Sequence, residues 1–531
     1  MRSPLVSIGT TFLRITGETP GMSHRKLKTA YAIIAFCLTV IAIGCGGGHT
    51  PAPTPPPPGP VQTLTAADVQ NVVQSAAVSV NAAFVIAVTD RGGNILAVYQ
   101  KAGAPATATG NFSASVPATE LAVGLARTAS FFSNDQAPLS SRTVRYISGI
   151  HFPPGITNAP NAALYGIENT NRGCPLNATF LPGQAVVPAR SIGGGALGLG
   201  IITGKLDTFD SDPFAVNPGG VPLFKNGHLV GGVGVAGASP NVAEFAAFSG
   251  AVGAGFGASP APPGVVVIDG ISLPFVNQTT QPSGTTAGVF SGGFLVGPIA
   301  SPGPVPEGDL VQVKAGVIGG LTQADVQGIV NQAIATANQT RAVIRLPDGQ
   351  RAKFAIAVVD LDGSLLALNR MTDSTVFSID VAVAKARNMV YFSSAAVNPA
   401  DLPGVPAGTA VTNRTISFGA QPFFPPGIDG TMPGPFFGLY QFDLANPCTN
   451  GRQPANPNQS GIVFFPGSVP LYKNGLLVGG LGISGDGVEQ DDFVSDGASQ
   501  AFSAPAAMRA DQLILRGVRL PYLKFPRNPT L

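Results

Sequence analysis

Few side chains in this sequence are of the types that usually carry chemistry. The chain has four histidines, and two of them, His151 and His228, fall in the body beyond the N-terminal region. Cations recur at matched places: Arg127 with Arg387, and Arg142 with Arg414. Lys385 stands where Leu125 stands in the earlier stretch. Carboxylates gather as Asp360 with Asp362, and as Glu489 with Asp491 and Asp492. The first group reads as turn chemistry. The second reads as a solvated helix start favoured by the helix dipole. Cys174 and Cys448 lie in loops beside proline, and neither has a neighbour at metal-ligand spacing, which argues against zinc. In an oxidising compartment the two could pair, or they stand as two free thiols. There is no H-E-x-x-H, Walker A or G-x-S-x-G. G-x-G-x-x-G occurs at Gly232/Gly234/Gly237 and Gly480/Gly482/Gly485. A dinucleotide fingerprint must sit in a parallel βαβ turn, whereas these glycines fall inside a hairpin strand, so it is discounted.

The elements that must position these groups come twice. VPLFKNGHLVGGVGVAG (221–237) and VPLYKNGLLVGGLGISG (469–485) are identical at 12 of 17 positions. Asn226-Gly227 and Asn474-Gly475 accept positive φ at both central turn positions and predict tight hairpins. The glycines leaving each turn predict close approach, either of a ligand or of a helix packed on the sheet. Upstream, LTAADVQ and LTQADVQ open amphipathic helices, with Thr65 and Thr322 as N-caps and an aspartate three residues on. Apolar hairpins follow at 84–100 and 354–370, then second helices at 118–134 and 378–394. In the later helix Ile379, Ala382, Val383, Ala386, Met389 and Val390 share one face, and Lys385 and Arg387 lie off it. Long Gly/Pro-rich excursions come next, of a length that is functional or disordered. Then come the Asn-Gly hairpin, a third helix and a short tail. This order predicts an α+β fold of two tandem domains, 64–300 and 321–531, joined by a linker at 301–320. Each is an antiparallel sheet flanked by helices with long loop insertions.

Ahead of the body, Arg25, Lys26 and Lys28 precede an apolar run from Ala30 to Ile43, then Gly44-Cys45. This is a secretory signal pattern within residues 1–45, and it resembles a lipoprotein signal whose lipidated residue is Cys45. Translation starts at Met1 or at Met22. The proline-rich run at 46–63 favours extended polyproline II, at roughly 3.1 Å per residue, as a spacer from a membrane. The expected location is the cell envelope, membrane-anchored, and otherwise secreted. With 11% charged residues and a net charge of +2, no basic patch marks a nucleic-acid partner.

Four stretches in order, LTQADVQ (321–327), AIAVVDLDGSLLAL (355–368), SIDVAVAKARN (378–388) and VPLYKNGLLVGGLGISGDGVEQD (469–491), resemble the GlcG/HbpS-like family of small haem-binding proteins. The resemblance covers most of both repeats outside the excursions. It implies haem as cofactor in an extracytoplasmic setting, with a homo-oligomer as one expected assembly. Haem requires an apolar slot, an axial donor and cationic groups for its propionates. The candidates are Lys385, Arg387, Arg414, His151 and His228, with Met371, Met389 and Tyr391 as alternative donors. C-x-x-C-H is absent, which excludes covalent c-type attachment. The departures, Leu125 for the lysine and Asn241-Val242-Ala243-Glu244 for the acidic run, make the second repeat the expected ligand-binding one. The sequence also admits a ligand-free interaction module of the envelope, or an accessory protein or enzyme for small 2-hydroxy acids.

Overall fold

The structure is a computed structural model that describes residues 62–109, 115–147, 218–258, 266–268, 271–273, 275–342, 349–421, 423–425, 431–446 and 449–530. Residues Gln62–Leu531 form one compact unit. In the first half, helix α1 (Ala66–Ser79) leads to β1 (Val85–Asp90) and β2 (Ile95–Lys101), a small hairpin β3 (Thr107–Thr109) and β4 (Ser115–Pro117), and helix α2 (Ala118–Phe132). Helix α3 (Ser141–Ile147), β5 (Gly220–Lys225), β6 (His228–Ala236), α4 (Pro240–Gly253) and the hairpin β7 (Val266–Ile268) and β8 (Ile271–Leu273) follow. Strand β9 (Gly292–Val296) ends the first half, and β10 (Gly308–Val311) lies in the linker. The second half runs α5 (Gln323–Ala337), β11 (Ala355–Val359), β12 (Leu365–Arg370), α6 (Phe377–Phe392), α7 (Asn413–Gly419), α8 (Phe437–Ala445), β13 (Ser468–Lys473), β14 (Leu476–Ser484), α9 (Val488–Ala498) and a short β15 (Ile514–Leu515) and β16 (Val518–Arg519).

Both main sheets are antiparallel and five-stranded, ordered β5-β6-β1-β2-β9 and β13-β14-β11-β12-β10. Their registers correspond: Val85 faces Ala236 and Ala355 faces Ser484, and both outer hairpins bulge at one place, Leu223/Phe224 and Leu471/Tyr472. The α+β expectation holds. The turn chemistry also reads as the sequence dictates. Asn226 (φ 52°) and Gly227 (φ 82°), like Asn474 (φ 53°) and Gly475 (φ 77°), take left-handed backbone at both central positions. Thr65 and Thr322 close full capping boxes with Asp68 and Asp325. Each of those aspartates also takes a lysine from the Asn-Gly hairpin, Lys225 at 2.7 Å and Lys473 at 3.1 Å.

Two features depart from simple expectation. The linker at 301–320 contributes a strand: β10 pairs with β12, while β9, just ahead of the linker, pairs with β2. Helix α6 is not amphipathic in its surroundings, because every one of its residues is buried. One side lies on the second sheet. The other is covered by first-half residues such as Phe131, Phe132 and Leu139, and by the excursion around Val397, Leu402 and Phe436.

The glycines of β6 and β14 explain how tightly the helices sit. A Cβ on Gly232 or Gly234 would stand 2.2 and 2.0 Å from the carbonyl oxygens of Ala126 and Ala122 on α2. The equivalents Gly480 and Gly482 would meet those of Ala386 and Ala382 on α6 at 2.3 and 2.0 Å. Of the two expectations for these glycines, helix-on-sheet approach is what the structure shows at these four positions. Gly482→Ala must push α6 off its sheet and should cost about 1–3 kcal/mol, by the usual penalty for overpacking. Gly328→Ala, where an added methyl meets nothing within 4 Å on helix α5, should stabilise by about 0.5–1 kcal/mol. Thermal melts of the two variants, moving in opposite directions, check this.

Candidate functional site

Two of the cations singled out from the sequence, Lys385 and Arg414, are drawn into one buried cluster in the second half. Lys385 projects from α6 and is fully buried. Its Nζ donates to the Asp491 carboxylate and to the Ile483 carbonyl, both at 2.8 Å, and lies 4.8 Å from the centre of the Phe465 ring. Arg414, from α7, donates through Nε to Asp492, the next residue on α9. Asp492 also accepts the backbone N–H of Gly467 at 3.0 Å and of Lys524 at 3.0 Å. Burial pushes the Asp492 carboxyl above its ordinary value, with Arg414 and Lys385 pulling the other way. The acidic run is therefore not a solvated helix start: Asp491 and Asp492 are buried, and they neutralise two buried cations.

Arg387 serves a different site. Its Nε donates to the Gly363 carbonyl at 3.0 Å and its Nη1 to the Ser460 hydroxyl at 2.6 Å. Burial lowers its guanidinium to about 10. Beside it, the Asn388 side chain bonds Gly461, Val463, Asn413 and Asn450, so the returning end of the excursion is stitched to α6. Tyr391 donates to Asp401 at 2.6 Å and Met389 is fully buried, which places both alternative donors in structural contacts. Met371 packs against the core beneath α5.

The first half repeats half of this pattern. Arg142 forms a two-pronged pair with Glu244, Nε to Oε1 at 2.8 Å and Nη2 to Oε2 at 3.1 Å, at the places of Arg414 and Asp492. Arg127 Nε donates to Gly93 at 3.0 Å as Arg387 does to Gly363, and burial likewise lowers it to about 10. The Lys385–Asp491 pair has no such echo. Leu125 and Ala243 occupy those positions, both buried, so both charges have been replaced together.

Asp360 illustrates a carboxylate used as a clamp. It accepts backbone N–H groups from Val317 (2.6 Å), Ile318 (2.9 Å), Gly319 (2.7 Å) and Leu361 (2.8 Å). Burial works against its charge, but these donors outweigh it and hold the carboxyl below its ordinary value. Asp90, at the matched turn, is pushed up by burial despite donors from Asn94 and Ser301.

His228 sits just after the first Asn-Gly turn, with its side chain about half exposed. Its Nδ1 lies 2.8 Å from Asp135 Oδ2. A carboxylate only accepts, so the proton of the neutral ring belongs on Nδ1, and Nε2 keeps its lone pair. Nε2 makes no hydrogen bond to a described residue. His151, Cys45, Cys174, Cys448 and the N-terminal signal lie outside the described residues. Among the described residues no group of three or more His, Cys, Asp or Glu could hold a metal, and no helix is long and apolar enough to cross a membrane.

The partners of the cations were the part sequence reading missed. Lys385 and Asp491 are 106 residues apart, and Arg414 and Asp492 are 78 apart. The one available signal was the joint loss of lysine and aspartate from the first repeat.

Lys385→Leu alone strands a buried carboxylate and should cost about 3–5 kcal/mol. Lys385→Leu with Asp491→Ala, which copies the first half, should recover most of that loss. Chemical denaturation of both variants measures the coupling. Acid should weaken the Asp360 clamp: its stabilisation is full above the unfolded carboxylate value of about 3.9 and is lost as pH falls through the lower folded value. Asp360→Asn should flatten that acid limb of a stability profile.

Comparison with known proteins finds likeness over part of the chain. Residues 321–499 match the model of a family described as haem degrading protein HbpS-like. An uncharacterized 15.0 kDa protein from the dhaT-dhaS intergenic region of Citrobacter freundii is 27% identical over 147 residues, 28% of this chain and 74% of that protein. The corrinoid adenosyltransferase PduO of the same organism is 26% identical over 164 residues, and the match spans only 36% of its length. Among solved structures, a PduOC–haem complex is 22% identical, with 34% of this chain and 94% of that one covered, at a TM-score of 0.23. The Klebsiella pneumoniae protein ORFY is 19% identical, with 37% and 94% covered, at 0.20. Over residues 321–499 the second half of the chain thus resembles the HbpS-like family.

Proposed function

We propose that this chain is an extracytoplasmic, non-catalytic protein that binds haem or a similar flat cofactor, with two tandem domains of the HbpS-like kind. It is held at the cell envelope by a lipid on Cys45. The ligand class follows from the description of the family that residues 321–499 match. The single observation that carries the site is His228, whose side chain is half exposed, with Nδ1 held by Asp135 at 2.8 Å and Nε2 without a hydrogen bond among the described residues. A histidine ligand whose other nitrogen donates to a carboxylate is fixed in tautomer and orientation and is a stronger donor. The second half contains no histidine.

When bound, haem supplies an iron centre for ligand or electron exchange. The chain supplies the donor, through His228, and its orientation, through Asp135. Nearby cations, Arg91 and Lys353, are partly exposed and lie beside Asp373. Both are paired with Asp373 but are less buried than Lys385, Arg387 and Arg414, and they are the propionate partners in this reading.

A second reading, an envelope interaction module without ligand, is favoured by that same commitment of the buried cations. It is favoured too by an exposed apolar tip, Val317 (94% exposed) and Ile318 (59%), which the Asp360 clamp holds in place.

Haemin titration of the 62–531 body, followed in the Soret region, separates the readings. The proposal expects saturation at about one haem per chain, and about 10–100-fold weaker binding in His228→Ala, with a smaller loss in Asp135→Asn. No shift beyond that of an unrelated protein leaves the interaction module standing.

A further inference from the structure

The two halves are not joined symmetrically. The end of α2 in the first half meets the corner before α6 in the second. Phe132 stacks on Phe377 with ring centroids 4.2 Å apart, and Val376 donates its N–H to the Phe131 carbonyl at 3.1 Å. Around them Asp373, in left-handed backbone (φ 58°), takes Arg91 at 2.6 Å, Lys353 at 3.2 Å and the Asp135 N–H at 3.2 Å, and accepts Asn134 on its carbonyl. Phe131, Phe132, Leu139 and Val144 form the first half's share of this buried apolar face.

The same face exists in the second half. Ser133 and Leu139 exchange two hydrogen bonds, and so do Ser393 and Val411. Ser140 donates to the Phe275 carbonyl, and Thr412 to that of Tyr522. By this correspondence Tyr391, Phe392, Val411 and Ile416 are the counterparts of Phe131, Phe132, Leu139 and Val144. They are buried too, but under their own chain: Val397, Leu402, Phe436, Leu439, Phe464 and Leu520 cover them. The covering loop enters where the second half carries about a dozen more residues than the first, between Ser394 and Ala410. Opposite, the corner that docks has been rebuilt in the first half. The short Met371–Val376 turn is replaced there by a longer segment that contains the β3–β4 hairpin, and Pro117 stands in place of Phe377.

We infer that this chain is a closed head-to-tail pair: the 394–410 loop and the excursion behind it occupy, in the second half, the face that receives a neighbouring domain in the first. Head-to-tail contacts close only if the rotation closes, and otherwise they propagate. Here both open ends are blocked. The docking face is built for the 371–377 corner of a second domain of this fold, and it accepts that corner within one chain only. The inference rests on the joint alone and does not depend on haem binding.

Sedimentation velocity of the 62–531 body, at up to about 100 µM, should give one species of single-chain mass, since a closed pair leaves no propagating face. A concentration-dependent dimer or larger species overturns the inference. Shortening the crossing between β9 and β10 by about six residues denies the two faces each other within one chain, and should produce a swapped dimer of roughly twice the mass. A shortened chain that stays monomeric with an unchanged far-ultraviolet spectrum also overturns it. If that chain fails to fold, Asp373→Arg decides: repulsion from Arg91 and Lys353 should raise proteolysis in the connector about tenfold or more, by opening the joint. An unchanged rate counts against the inference.

Discussion

The architecture depends on a contact between backbones. Carbonyl oxygens of Ala382 and Ala386 press against the bare Cα atoms of Gly482 and Gly480, and α2 does the same to Gly234 and Gly232. Helix α6 is buried around its whole circumference. A helix so embedded cannot leave its outer side wet if that side is apolar. In α6 the outer side carries Val381, Ala384 and Phe392, and these are covered by the other half and by the excursion. The described part of the second-half excursion is therefore part of the core, with Val397, Leu402, Phe436, Leu439 and Phe464 buried in it.

Charge follows from the same embedding. Lys385 and Arg387 sit on a helix with no exposed side, so each must find a partner in the interior. Lys385 finds Asp491, and Arg387 finds carbonyl and hydroxyl oxygens. The first half shows the other solution, with Leu125 and Ala243 in place of a charge pair. Both solutions are neutral as a pair, whereas either charge alone would be stranded in the interior. The Arg414–Asp492 and Arg142–Glu244 pairs are kept in both halves, and they tie α7 to α9 and α3 to α4.

Much of the fold was legible in the residues. Asn-Gly turns and Thr-x-x-Asp caps act through neighbours two or three positions away, so their chemistry is written locally. Helix and hairpin order followed from apolar periodicity. The site was less legible. Lys385 off the apolar face of α6 reads as a solvent-facing cation, because sequence alone does not reveal a second layer over the helix. The strands β9 and β10 were missed because GGFLV and GDLV are short, glycine-bearing and flanked by proline, and their partners are nearly 200 and about 60 residues away. The carboxylate of Asp135 beside His228 comes from a turn 93 residues earlier.

The connector has one more consequence. Its crossing from Gly297 to Glu307 lies between the strand that finishes the first sheet and the strand that finishes the second. A break anywhere in that crossing leaves each piece with all five strands of its sheet and with its own side of the Asp373 joint. In genetic terms, a stop codon and a new start codon placed there would turn one gene into two without taking a strand from either product.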